Sequence, residues 1–244
     1  MRPNNRPNNA IRPLNFEPGF VRSAAGSVLV RCGATTVVCT CTVERSVPEF
    51  LVGTGKGWLT AEYGMLPACT AGRKARDRGA KIDGRTIEIQ RLIGRSLRAV
   101  VDLSKLGERT LWLDCDVLEA DGGTRTAAIS GAFVALILAL TRHRADFLSP
   151  IKEIVADSVA AISVGLVDGG ERLDLEYVED KDAEVDMNLV MTGSGRFIEV
   201  QGSGEEATFG RDQLQRLLDL GQIGITAVTT KQMEILGPLW PHNS

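Results

Sequence analysis

The sequence predicts an α+β fold, a single domain over residues 1–244 with an internal pseudo-duplication. Two observations carry this. Segments with the two-residue alternation of half-buried strands are interleaved with segments of helical period. The order hairpin, strand, helix also occurs twice, once in each half of the 244 residues. No linker-like or low-complexity stretch divides the halves, and residues 1–10 and 238–244 read as loose tails.

GSVLVRCGATTVVCTCTV (26–43) reads as a β-hairpin turning near Cys32-Gly33-Ala34. After the Gly-rich VGTGKGW comes a short strand over 59–65, then a basic surface loop over 72–84 without hydrophobic period. Ile89, Leu92, Ile93, Leu97 and Val100 recur at helical steps, with Arg91, Arg95 and Arg98 on the opposite face. TLWLDCDVL (110–118) alternates as a strand. Residues 124–140 are apolar nearly all round, which predicts a central helix. In the second half a hairpin joins 159–167 to 172–177 around Asp168-Gly169-Gly170. Strands over 184–191 and 196–201 and a helix over 211–236 complete it.

Composition sets bounds. The chain is 43% hydrophobic, 24% charged and only 5% aromatic, so aliphatic side chains build the core and aromatic base-stacking platforms are not expected. The net charge is −3, but it is unevenly spread. Residues 73–98 hold nine cations (Arg73, Lys74, Arg76, Arg78, Lys81, Arg85, Arg91, Arg95, Arg98) against Asp77, Asp83 and Glu88. Residues 168–186 hold nine acids against Arg172 and Lys181. The pattern suggests a polyanion-binding face and a separate acidic site, as against two merely solvated faces. Five cysteines without a C-x-x-C pair, and two histidines, argue against zinc and against a disulfide framework. The N-terminus lacks an apolar signal region, and the longest apolar run, 129–140, is short for a bilayer span. A cytoplasmic protein without membrane association is expected.

The chemistry concentrates at DGGTRTAAIS (121–130). A helix start leaves backbone N–H groups unpaired and carries positive potential, so it receives anions. Gly122 and Gly123 permit close backbone approach, Thr124 and Thr126 offer hydroxyls, and the planar fork of Arg125 matches phosphate oxygens. Arg85 occupies a second such mouth in DGRT, so the two could converge on one phosphate; simple capping, with Asp83 as N-cap, is the plain alternative. In EDKDAEVDMN, Asp180, Asp182, Glu184 and Asp186 are carboxylates without His or Cys. They suit a hard divalent ion such as Mg²⁺, or else form a solvated acidic loop.

These segments resemble the bacterial ribonuclease PH family from about Arg2 to Leu236. The resemblance rests on GKGWLTAEYGMLP, DGRTIEIQRLIGRSLRAVVDL, LGERTLWLDCDVLEADGGTRTA and AEVDMNLVMTGSGRFIEVQGSGEEATF. It implies a ribonuclease PH-like fold of duplicated βαβα-type halves and a homo-hexamer built as a trimer of dimers. It also implies phosphorolytic 3′→5′ trimming of RNA, notably precursor tRNA 3′ ends, with inorganic phosphate as co-substrate and nucleoside diphosphates as products. By the same resemblance phosphate is held by Arg85, Gly123, Thr124 and Arg125, with Thr126 nearby. Asp180 and Asp186 are the catalytic and metal-linked acids, and Arg73, Lys74 and Arg76 grip the tRNA. One departure stands out: the family's arginine after Met-Leu-Pro is absent in Met65-Leu66-Pro67-Ala68-Cys69. A non-catalytic RNA-binding ring subunit of an exosome-like assembly and a hydrolytic metal nuclease are the competing readings.

Overall fold

The computed structural model describes residues 2, 5–76, 83–204 and 207–241. Its first sheet is built from β1 (Leu14–Pro18), β2 (Gly26–Cys32), β3 (Thr35–Glu44), β4 (Trp58–Met65) and β5 (Thr110–Glu119) in the order β1-β2-β3-β5-β4. The pairs are antiparallel except β4 with β5, which run parallel because helix α1 (Gly84–Arg98) crosses between them. Helix α2 (Thr124–Arg142) follows β5, and the short helix α3 (Ile151–Ile154) leads into the second half.

The second sheet orders β6 (Val159–Val167), β7 (Gly170–Leu173), β8 (Val185–Thr192) and β9 (Phe197–Gly204) as β7-β6-β8-β9, all antiparallel. Between β7 and β8 lies the five-residue helix α4 (Tyr177–Lys181), and the long helix α5 (Arg211–Leu236) comes last. Helix α2 packs on β2, β3 and β5 on one side and on β6 on the other. Strand β6 is buried along its whole length, since α2 and α5 both pack on it. One contiguous apolar cluster therefore runs from Phe16 to Trp240.

Several expectations are refined. The central helix is 19 residues long and is the one helix, among the described residues, apolar and long enough to cross a bilayer. Burial in the core accounts for that composition: 83% of the apolar window lies inside the fold. The hairpin arm expected over 172–177 stops at Leu173 because Asp174 turns into the left-handed region (φ 54°) with its carboxylate buried. The N-terminal segment is not a loose tail: Arg2 is 4% exposed and paired with Glu179 at 2.7 Å. At the other end Trp240 stacks edge-on against Phe133, with centroids 5.9 Å apart, while residues 242–244 of that expected tail lie outside the described residues. Arg98 leaves the solvent face of α1, lying over the Trp58 ring and donating to Leu59 O at 2.9 Å. Asp77, Arg78 and Lys81 of the basic stretch also lie outside the described residues.

Candidate active site

The mouth of α2 is shaped by two left-handed glycines. Gly122 (φ 73°) and Gly123 (φ 65°) bring the chain out of β5, and Gly123 caps the helix through its carbonyl, bonded by Ala127 N at 3.0 Å. The close approach at Gly122 is to protein. A Cβ there would stand 2.6 Å from Leu175 O and 2.9 Å from Tyr177 N. The glycine thus lets the loop seat against the backbone that leads into α4.

Side chains at the mouth divide into available and committed groups. Thr124 accepts a hydrogen bond from the Tyr63 hydroxyl at 3.0 Å, which leaves its own proton free to donate. Thr126 instead donates back to Gly123 O at 2.8 Å, so it is part of the cap and not a ligand donor. Arg125 is held through Nη1, which donates to Gln201 Oε1 at 2.7 Å and Glu88 Oε1 at 3.2 Å. Glu88 stands one turn beyond Arg85 on α1, so the first turns of α1 and α2 meet here.

Tyr63, which no sequence motif singled out, stands at the α2 mouth through its bond to Thr124. Burial raises the pKa of its hydroxyl; the Thr124 hydrogen bond and the charges of Arg85 and Arg125 pull the other way without reversing the shift. It is therefore a proton donor at neutral pH, within the field of both arginines. It sat unremarked in the TAEYGMLP motif because a single tyrosine in a strand carries no distinguishing spacing. Arg85 itself is exposed, and its N–H bonds the N-cap Asp83 at 3.2 Å.

The acidic block separates. Asp186 on β8 is half-buried and accepts from Ser203 Oγ on β9 at 2.9 Å. Two residues along β9 from Ser203, on the same face, Gln201 holds Arg125, which connects Asp186 to the α2 mouth. Asp180 is exposed on α4, and Tyr177 at the start of that helix donates its N–H to Asp121 Oδ1 at 3.3 Å. Asp182 is exposed at the C-cap of α4, and Glu184 accepts from Gly169 N at 2.9 Å in the β6–β7 turn. Among the described residues, no group of three or more His, Cys, Asp or Glu side chains gathers as a metal site.

Of the basic loop residues, Arg73 and Arg76 are exposed, whereas Lys74 is half-buried and bonds Asp83 Oδ2 at 3.0 Å. That bond, first, and the Arg85 N–H hold the Asp83 carboxyl below its usual range. Lys74 and Arg76 edge a cleft of about 630 Å³ whose wall includes Tyr63, Leu66, Thr86 and Gln90. Ala68 is exposed in the preceding turn, where Cys69 is buried and accepts from Ala120 N at 2.8 Å.

Two sheets around a buried helix, with the N-termini of α1 and α2 meeting at one end, define an α+β protein whose candidate site has the chemistry to receive an anion. Comparison with known proteins agrees. Residues 10–141 match domain 1, and residues 157–224 domain 2, of the 3′ exoribonuclease family. A ribonuclease PH from Bacillus pumilus is 55% identical over 240 residues, covering 97% of this chain and 98% of that one. Those of Rhodopirellula baltica (56%; 93% and 94%) and Bacillus subtilis (54%; 99% of each) are similarly related. Among solved structures, an Archaeoglobus fulgidus exosome with RNA bound to the active site superposes with TM-score 0.79 at 21% identity, covering 95% and 92% of the two chains. Rice (Oryza sativa) Rrp46 gives 0.77 at 17%, covering 96% and 100%. At such identities these two show the fold alone.

The chain belongs to the 3′ exoribonuclease family. More particularly it is an enzyme of the ribonuclease PH kind, a phosphorolytic 3′→5′ exoribonuclease.

Proposed function

We propose that Arg85, Gly123, Thr124 and Arg125 hold the inorganic phosphate that attacks the last phosphodiester of RNA. The observation that carries this is Arg125 itself. Its guanidinium is fixed through Nη1 at the N-terminus of a buried helix, beside a threonine whose proton is free. A phosphate oxygen forms a bond to the phosphorus of the terminal nucleotide, and the bond from phosphorus to the preceding 3′-oxygen breaks. That oxygen takes a proton, the terminal residue leaves as a nucleoside 5′-diphosphate, and the RNA is shortened by one. Attacking and attacked groups are both anionic, so two arginines and a helix dipole offset their repulsion while holding the nucleophile in line.

Asp180 and Asp186 serve the leaving side. By donor type, Asp180 and Asp186 would suit a hard ion such as Mg²⁺, since neither has a His or Cys ligand beside it in the motif. When bound, such an ion supplies charge neutralisation at the scissile phosphate and leaving oxygen. As the alternative to holding a metal, Asp180 acts as general acid and gives the leaving 3′-oxygen its proton.

The RNA reaches the phosphate loop along the cleft edged by Lys74 and Arg76, and precursor tRNA 3′ ends are the proposed substrate. Arg73 and Arg76 grip the RNA backbone; Lys74 reaches it only after parting from Asp83. The working form is a cytoplasmic homo-hexamer, a trimer of dimers, with no membrane association. Exposed Phe50, Leu148, Phe197 and Val200 supply apolar surface for such contacts. The deciding assay separates nucleotide products with and without added phosphate. Diphosphates that form only when phosphate is present support phosphorolysis, and monophosphates formed without it overturn it.

A further inference from the structure

Three arginines of the N-terminal segment meet carboxylates of the second half. Arg2 pairs with Glu179, and Arg6 reaches Asp174, Glu176 and Glu179. Arg12 pairs with Asp174, the two side chains being 5% and 1% exposed. Burying such a pair carries a large desolvation cost, and apolar replacements of such pairs are often no less stable. Stability alone is therefore a poor account of this arrangement, and its directionality is a better one.

Arg12 differs from the other two in what its fork reaches. Nε and Nη2 donate to the two Asp174 oxygens at 2.9 and 2.7 Å. Nη1 donates to Asp121 O, and Nη2 lies 3.4 Å from Gly122 O. Asp121 and Gly122 are the two residues before the cap of α2, on the first half of the chain. Asp174 comes from the second half, and its Oδ2 is further pinned by Arg12 N at 2.7 Å. Three residues on, α4 begins, with Tyr177 N on Asp121 and with the 175–177 backbone against Gly122. One planar cation is thus bonded on one side to the loop that enters the phosphate site and on the other to the segment that enters the helix carrying Asp180.

We propose that Arg12, through Asp174, is a positioning residue that sets the spacing between the phosphate loop and the acid-bearing helix α4. It touches neither phosphate nor RNA. The inference rests on the assignment of Gly123–Arg125 as the phosphate site. Small misplacement of positioned reactants is costly: a shift of about 1 Å can cost on the order of 10²-fold in rate. Lysine at position 12 keeps the charge for Asp174 but lacks the fork that also reaches the loop carbonyls.

The test is steady-state kinetics of Arg12→Lys, with phosphate and RNA varied separately and Arg125→Ala run alongside. Arg12→Lys should lower kcat/KM for phosphate by roughly tenfold to 10²-fold, leave KM for RNA unchanged, and stay folded at the assay temperature. A folded variant with wild-type constants, or one whose KM rises for RNA alone, overturns the proposal. A second variant, Arg12→Gln with Asp174→Asn, removes both buried charges together and should show the same split. If Arg125→Ala leaves phosphate kinetics intact, the phosphate-site assignment itself falls. If Arg125→Ala is defective while both Arg12 variants are normal, only the positioning role falls. Should neither Arg12 variant fold, the wild-type enzyme decides. Added phosphate should slow amide exchange at both 121–126 and 174–180, and slowing confined to 121–126 overturns the proposal.

Discussion

Arg12 and Arg125 flank the same Gly122–Gly123 turn, and the protein uses them differently. Arg12 is buried with Nε, Nη1 and Nη2 all directed at protein oxygens. Arg125 is held through Nη1 at a helix mouth, between Glu88 and Gln201. A cation bonded from every side acts as scaffold, whereas one fixed by a single nitrogen beside a helix N-terminus still presents charge to an anion. In the acidic block, Asp174 and Glu179 pair with buried arginines, while Asp180 lies at the surface on α4. Charge asymmetry along a sequence therefore mixes two populations: part of the acidic excess at 168–186 is neutralised by Arg2, Arg6 and Arg12, more than 150 residues away.

The largest effect expected from breaking this contrast is on stability. Asp174→Asn leaves Arg12 charged and without its carboxylate inside the fold, and should cost about 3–5 kcal/mol in chemical unfolding. The pH dependence points the same way. Burial alone would raise the Asp174 pKa, but the hydrogen bonds and charge of Arg12 outweigh it, so the folded value lies below the usual one. Glu179 is lowered likewise, with Arg2 outweighing burial. Groups with depressed folded pKa values stabilise fully above their unfolded values, about pH 4, and that contribution is lost as pH falls through the folded values. Wild-type Tm should therefore drop below about pH 4, and Asp174→Asn should flatten part of that drop. An unaltered acid limb would mean that this pair is not the titrating element.

Next in size, Arg125→Ala should leave Tm close to wild type and lower phosphorolysis by roughly 10²–10³-fold, about 2–4 kcal/mol of transition-state stabilisation. Arg85→Ala should act in the same direction, with weakened phosphate affinity as well as slower turnover. Near-normal turnover of Arg125→Ala at saturating phosphate would erase the distinction between the two arginines.

Much of this was legible in the sequence, for physical reasons. Helices α1, α2 and α5 and most strands follow from periodicity, because burial on one face or on all faces imposes it. The helix start at GGTRT was legible because two glycines and a threonine ahead of an apolar run form a local pattern. The Arg12–Asp174 pair was not, since its members are 162 residues apart and neither neighbourhood is unusual. The strand predicted to run on to Tyr177 failed at Asp174 for the same reason: a distant ion pair outweighs local strand propensity there. Tyr63 escaped notice because its role depends on Thr124, a contact across 61 residues.

Smaller in scope is the split within the acidic block. Asp180→Asn and Asp186→Asn should each lower turnover, by about 10²-fold or more if they act in proton transfer. Asp182→Asn, at an exposed helix end, should be nearly silent. Equal damage at all three positions, measured under one phosphate and metal concentration, would show that general acidity and not two particular carboxylates matters.

The smallest effect concerns the basic loop, where the same contrast between committed and available cations recurs. Lys74 bonds Asp83, the N-cap of α1, while Arg73 and Arg76 are exposed. Removing Arg73 and Arg76 together should weaken precursor tRNA more than a short unstructured oligonucleotide. Each lost phosphate contact releases about one counterion fewer, so the slope of log affinity against log salt should become shallower by about two. Lys74→Ala should change the slope less and lower Tm slightly, because it loosens the start of α1. Ala68→Arg places a cation in the same turn, outside the phosphate loop, and should tighten tRNA while leaving phosphate kinetics alone. Binding of both RNAs across a salt series measures all of these. If the Arg73/Arg76 variant weakens both RNAs equally with an unchanged slope, the loop is structural, and exposure alone does not mark a cation as available to RNA.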